Sequence, residues 1–300
     1  MPQMFRRGRF WIQLGVVVAL MAFGGLLINN ITVNLIRTGL GLDFGWLWRP
    51  AGFALAETAL PYAPTDSYAW ALVIGWMNSL KVILVGLLLA TMLGVAAGAA
   101  RSSRNRLLRS LSGGYVALIR QVPLLLQLLF WYFVAFLGLP DTPVGGLIHV
   151  SNQGIRLLGL NLSVEFCSVL TGLVVFTGAS IAEIVRGGIN AVSRGQWEAF
   201  RSLGLSEGLG LRRIVLPQAL PAILPALTSQ YLNLAKNSTL AIAVGYADLY
   251  AVSDTTITQT GRAIEGFLLL LLSFLLLNLV ISGGMALMNR AVLGRLQRSR

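Results

Sequence analysis

Six stretches of this chain, at about 10–28, 72–100, 111–137, 165–186, 219–245 and 267–289, are apolar over most of their length. Each approaches or exceeds the roughly 20 residues a helix needs to cross a bilayer. Lipid offers no hydrogen-bond partner to an exposed backbone, so such segments cross as helices. The expected fold is therefore an all-α polytopic membrane protein with about six transmembrane helices. Composition agrees: 56% of the residues are hydrophobic and 11% charged, with mean hydropathy +0.74, whereas soluble domains carry roughly 25% charged residues. The first stretch follows Arg6, Arg7 and Arg9 as a signal-peptide core would. It is long enough to span and no small-x-small cleavage site follows, so it is read as an uncleaved first helix.

The net charge of +12 would suit nucleic acid, but the arginines sit in short clusters beside apolar runs. Topology accounts for them more simply, because loops rich in Lys and Arg stay in the cytoplasm. One set of connections holds Arg6, Arg7 and Arg9, then Arg101, Arg104, Arg106 and Arg109, then Arg194, Arg201, Arg212 and Arg213, and finally Arg290, Arg295, Arg298 and Arg300. The alternating set holds only Arg37, Arg49, Arg156 and Arg262, with Asp43, Glu57, Asp66, Asp141, Asp248, Asp254 and Glu265. This predicts both termini in the cytoplasm, with nucleic acid not a partner. The organisation expected is a first helix and outer loop over 1–71, a transmembrane core over 72–290, and a basic tail over 291–300. Within it, 29–71 carries Pro50, Pro61 and Pro64 and suits short packed or interfacial pieces, while 138–164 is too rich in Gly and Pro to span. Gly94 and Gly98 in the second span form a small-xxx-small face for close helix contact. The lone Cys167 excludes an internal disulfide, and His149 alone makes no metal site.

Between the fourth and fifth apolar stretches lies a polar, helix-compatible island. Ser193 stands at an N-cap position with Gln196 three residues on, a possible capping box. Trp197, Phe200 and Leu203 recur at spacings of three, forming an apolar stripe, and Glu198 and Arg201 are spaced to pair. Gly204 suits the left-handed residue that stops a helix. A second start follows at Ser206 and Glu207, with Arg212 and Arg213 beyond it, and Pro217 is tolerated in a first helical turn. Periodicity alone leaves two readings open: a docking element for a soluble partner, and an amphipathic helix lying on the bilayer.

Glu198-Ala199-Phe200, Gly204 and Ile214-x-Leu216-Pro217 meet every spacing of the EAA loop, and the segment resembles that loop of binding-protein-dependent ABC importer permeases. Phe200 replaces the second alanine of the motif. Further stretches resemble the polar amino acid branch: Tyr115 to Gln127 with Arg120, Gln121 and Pro123, then Ala182 to Ile189, then Leu216 to Leu220, then Lys236 to Leu240. Gln259 to Glu265 looks like the general L-amino acid subgroup. The resemblance covers about 70–290. It implies a type I permease with Trp197, Glu198, Ala199, Phe200, Gly204, Ile214, Leu216 and Pro217 in the ATPase-coupling loop. It also implies a cytoplasmic ATPase dimer, an identical or sister permease, a periplasmic amino acid-binding protein, and residence in the lipid of a bacterial inner membrane. The chain has no G-x-x-x-x-G-K-[ST] loop for nucleotide phosphates, so no cofactor is expected and ATP hydrolysis falls to another subunit.

Ionisable residues at bilayer depth are costly and draw a functional reading; Lys81, Arg120, Glu183 and Lys236 stand there, with Arg186 and Glu165 nearer span ends. Lys236 suits a substrate carboxylate, with Asn237, Ser238 and Thr239 as polar neighbours. Glu183 suits an ammonium group or a neighbouring arginine. The plainer reading of these polar groups is interhelical hydrogen bonding, and for Lys81 and Arg120 it is snorkelling or structural pairing. The expected activity is ATP-driven import of L-amino acids by alternating access. A stand-alone ion-coupled transporter or channel is the alternative, although no inverted repeat is visible.

Overall fold

A computed structural model describes residues 2–298 apart from 38–40, 59, 104, 139–141, 145–147, 152–153 and 158–159. Arg104, Asp141 and Arg300 lie outside the described residues, as does the side chain of His149. The chain divides into two compact units, Met1–Trp46 and Leu47–Arg300. The first unit is dominated by helix α1, Pro2–Arg37. The second contains α2 (Tyr68–Arg101), α3 (Arg106–Gln121), α4 (Leu124–Phe130, continued by a π-helical segment Trp131–Phe136) and α5 (Val164–Asn190). These are followed by α6 (Arg194–Ser202), α7 (Glu207–Gly210, continued by a π-helical segment Leu211–Val215) and α8 (Leu216–Asn237, continued by a 3-10 segment Ser238–Val244). The chain ends in α9 (Leu249–Thr260) and α10 (Ala263–Arg298).

Among the described residues, α1, α2, α5 and α10 are each long and apolar enough to cross a membrane, and α3 with α4 makes a fifth span only as a bent pair. Two of the six expected spans therefore differ. The third, 111–137, is broken: α3 and α4 meet at 104°. Pro123 has no N–H to continue a helix and pushes the residue before it out of helical backbone, and Val122 has φ −96° and ψ 128°. Gln127 repairs the break, its Nε2 donating to Ile119 O at 2.8 Å and Val122 O at 2.9 Å. Carbonyls at a helix end otherwise lack an internal partner. The fifth, 219–245, is α8 plus its 3-10 segment. Gln218, Gln230, Asn233, Lys236 and Asn237 make α8 too polar to qualify as a span by composition.

The 138–164 stretch builds a four-stranded antiparallel meander that its glycines and proline concealed. β1 (Thr142–Val144), β2 (Ile148–Ser151), β3 (Gly154–Leu157) and β4 (Leu160–Ser163) pair in sequence order. β4 runs into α5, whose N-cap Ser163 accepts a hydrogen bond from Phe166 N at 3.0 Å.

The seam between α2 and α5 is close because two glycines permit it. A Cβ on Gly94 would stand 2.5 Å from Ile181, and one on Gly98 would stand 2.7 Å from Ala182 O. The loop before α2 is tied to the same pair of helices. Glu57 pairs with Lys81 of α2 and accepts from Ser163 at the start of α5. Asn78 Nδ2 donates to Glu57 O at 2.9 Å and to Ala247 O at 2.8 Å, while Lys81 Nζ lies 4.2 Å from the Phe166 ring centroid. Lys81 thus makes a structural pair.

Candidate functional site

The island folds as two short helices around a glycine. Gly204 has φ +70°, the left-handed backbone that glycine adopts without strain. Ser206 caps α7, accepting from Leu209 N at 3.4 Å, and Pro217 sits in the first turn of α8. The capping box at Ser193 does not form: its side chain makes no cap hydrogen bond, and Gln196 Oε1 instead accepts from Gln218 Nε2 of α8 at 3.1 Å. Nor does Arg201 pair with Glu198. It reaches across the glycine to Glu207, Nε to Oε1 2.9 Å, and lies over the Trp197 and Phe200 rings at 5.5 and 5.6 Å. A turn that brings α7 back beside α6 makes Glu207 the nearer partner.

The apolar stripe divides. Phe200 is fully buried, its ring centroid 5.6 Å from that of half-buried Trp197, whereas Leu203 is 75% exposed. Phe200 and Val215 belong to one apolar core with Ile83 and Ala90 of α2, Ile181 and Val185 of α5, and Ile223 and Leu234 of α8, against which Ile214 and Leu216 also pack. Glu198, Ala199, Ser202 and Leu203 face outward. One side of α6 is therefore rooted in the helical core, and the other is a free surface in this chain.

The residues read as a substrate path do not converge. Glu183 pairs with Arg101 at the end of α2 and with Arg186 one turn along α5, whose Nε stands 3.1 Å away. Gly188 of α5 packs on Ile223 of α8, while Leu170 and Leu234 meet at Gly86, so α5 and α8 run antiparallel. Counting from those contacts at 1.5 Å per residue puts Glu183 and Lys236 on the order of 10 Å apart along the axes. Ser238 Oγ donates to Ala235 O at 2.9 Å and Thr239 Oγ1 to Lys236 O at 2.8 Å, so both hydroxyls serve the helix end. Lys236 is exposed and Asn237 partly so. The α8 positions Ala222, Pro225, Ser229, Asn233 and Lys236 are exposed at helical spacing. That stripe follows α8 periodicity, but its exposure could not be read without the packing. Arg101, read only as a topology signal, proves to be the partner of Glu183.

Residues 86–294 match the family described as "Binding-protein-dependent transport system inner membrane component". The chain belongs to this family. It is 32% identical to "Putative amino-acid ABC transporter permease protein YhdX" of Escherichia coli (strain K12), covering 95% of this chain and 94% of that one. It is also 32% identical to "General L-amino acid transport system permease protein AapQ" of Rhizobium johnstonii, with 84% of each chain covered. Among solved structures it resembles "Crystal structure of an amino acid ABC transporter with histidines", with TM-score 0.59 and 28% identity over 75% of this chain and 95% of that one. An inward-facing MetNI methionine ABC transporter shares the fold, at TM-score 0.58 and 21% identity over 74% and 96%. The chain is thus a multi-pass inner-membrane transport component and not an enzyme.

Proposed function

We propose that this chain is the membrane-spanning permease subunit of an ATP-driven importer of L-amino acids, with both termini and the α6–α7 element in the cytoplasm. The observation that carries the reading is the near end-to-end match to a chain described as an amino-acid ABC transporter permease. A binding protein delivers the amino acid, a second permease completes the path, and two cytoplasmic ATPase subunits seat on the coupling loops. Within the loop, Glu198 and Ala199 face the ATPase and Leu203 is the apolar knob beside them. Trp197, Phe200, Ile214 and Leu216 carry motion inward, and Gly204 and Pro217 set the turns. ATP binding closes the ATPases, α6 moves with them, and its core contacts transmit the movement to α2, α5 and α8.

The exposed stripe on α8 supports a partner on that face. A lysine facing lipid near the bilayer centre costs about 3 kcal/mol or more, so Asn233 and Lys236 turn toward the second permease and the path between the two. Lys236 then meets the substrate carboxylate, with Asn237, Ser238 and Thr239 framing it. Glu183, held by two arginines, acts nearer the coupling end of the path.

Glu198→Lys is the decisive test. It should abolish co-purification with the ATPase or stimulation of its hydrolysis; normal assembly and stimulation would refute the docking assignment. Unchanged amino acid uptake by both Lys236→Ala and Glu183→Gln would remove the path assignment while leaving the subunit's role intact.

A further inference from the structure

We propose that the cleft between the end of α2 and the α6–α7 element binds a free α-amino acid, apart from the transport path, and that its occupancy restrains coupling. The cleft has a volume of about 490 Å³, and its walls include Ser102 and Ser103 after α2, and Trp197, Arg201, Glu207 and Gly208 opposite. That volume falls within the range of small-molecule sites, about 300–1,000 Å³.

Arg201 and Glu207 place opposite charges 2.9 Å apart on one wall, each side chain about 40% exposed (40% and 42%). An ion pair this exposed adds little to stability, so holding the fold together is a weak account of it. It is a template for a zwitterion. A carboxylate laid beside the guanidinium and an ammonium beside the Glu207 carboxylate give four charges that alternate in sign. The Arg201–Glu207 bond need not break, because Nε makes that bond and the guanidinium has further N–H donors in a fork suited to a carboxylate. Stacking over Trp197 and Phe200 fixes the plane of that fork. The rest of the lining comes from alanines at the end of α2 and from Leu108 and Leu211, an apolar wall for a side chain.

Position supplies the consequence. One wall belongs to α2 and α3, the other to the coupling element, so a ligand touching both opposes their relative movement. The cleft would then report the amino acid concentration on its own side of the membrane. This rests on the import reading for the identity of the ligand and for the coupling readout.

The full-length chain in nanodiscs, titrated with L-leucine, tests the site. L-Leucine should bind, and 4-methylpentanoate, which lacks the ammonium, and isoamylamine, which lacks the carboxylate, should each bind at least about tenfold more weakly. A Cβ on Gly208 meets nothing within 4 Å, so Gly208→Leu fills open space without clash; it and Arg201→Gln should weaken binding by about tenfold or more. In the complex with its ATPase, L-leucine should slow hydrolysis for the wild type and have little effect on Gly208→Leu. Equal binding by wild type and both variants would assign the ligand to the transport path and overturn this proposal while the import reading stands. No binding at millimolar L-leucine would also overturn it. If no ATPase assembles with the chain, the import reading falls, and the binding comparison still decides the cleft.

Discussion

A Cβ atom on Gly210 would stand 2.4 Å from the ring of Phe200. Phe200 is the position where the coupling loop carries a large residue in place of the motif's second alanine, and Gly210, on the next helix, makes room for it. The ring is fully buried, so it cannot swing out without opening the core it shares with α2, α5 and α8. Gly210→Ala should therefore cost about 1–3 kcal/mol through overpacking. Phe200→Ala relieves that clash, so the double variant should be less destabilised than the sum of the singles. Thermal unfolding of the four proteins checks this; strict additivity would show that ring and glycine are not matched.

Gln127 holds the break in the third span. Its Nε2 is the side-chain donor to both Ile119 O and Val122 O, and the side chain is only 6% exposed. Gln127→Leu keeps the volume and removes the donor, leaving two carbonyls open where water is scarce. The expected loss is about 1–3 kcal/mol, with increased proteolysis near Pro123. Wild-type stability in a reversible unfolding assay would mean that the bend holds without this cap.

Both successes and failures of the sequence reading trace to particular residues. Apolar length was enough for α1, α2, α5 and α10, because lipid imposes one backbone solution on such runs. Pro123 was visible inside the third stretch, yet a proline can kink a span mildly or break it, and the choice lay with Gln127, four residues on. The start of α7 at Ser206 and the turn at Gly204 were legible because caps and left-handed residues are local chemistry. Arg201 choosing Glu207 over Glu198 was not, because the choice depends on how α7 folds back. The meander at 142–163 hid behind Gly and Pro, and Lys236 and Glu183 seemed partners only while the packing of α5 on α8 was unknown.

Glu183 joins Arg101 of α2 to Arg186 of its own helix, with the three side chains 21–35% exposed. Such half-buried pairing lies between the exposed case, about 0–1 kcal/mol, and the buried one, about 3–5 kcal/mol. Glu183→Ala should destabilise the fold by about 1–2 kcal/mol, because two guanidinium groups lose their shared carboxylate. A cycle with Arg101→Ala should return a clear coupling energy between α2 and α5. A coupling energy near zero would reduce the contact to a surface coincidence.

Asp248 offers a test by pH. It lies between the 3-10 segment after α8 and the start of α9, is 1% exposed, and caps α9 by accepting from Ala251 N at 2.8 Å. Burial raises its carboxyl from 3.8 to about 7, opposed by hydrogen bonds from the backbone N–H groups of Ala251 and Tyr250. A carboxyl whose pKa is higher folded than unfolded keeps its proton longer in the native state. Its contribution is fully present below the unfolded value and is lost as pH rises through the folded one. Stability should therefore fall between about pH 4 and about pH 7 and level off above, by a few kcal/mol at 1.4 kcal/mol per pKa unit. Asp248→Asn retains a capping oxygen and has no proton to lose, so its profile should lack that slope. Denaturant unfolding of both proteins in one detergent across this window measures the difference. Parallel profiles would mean that Asp248 is charged throughout, and that the polar backbone around it outweighs its burial.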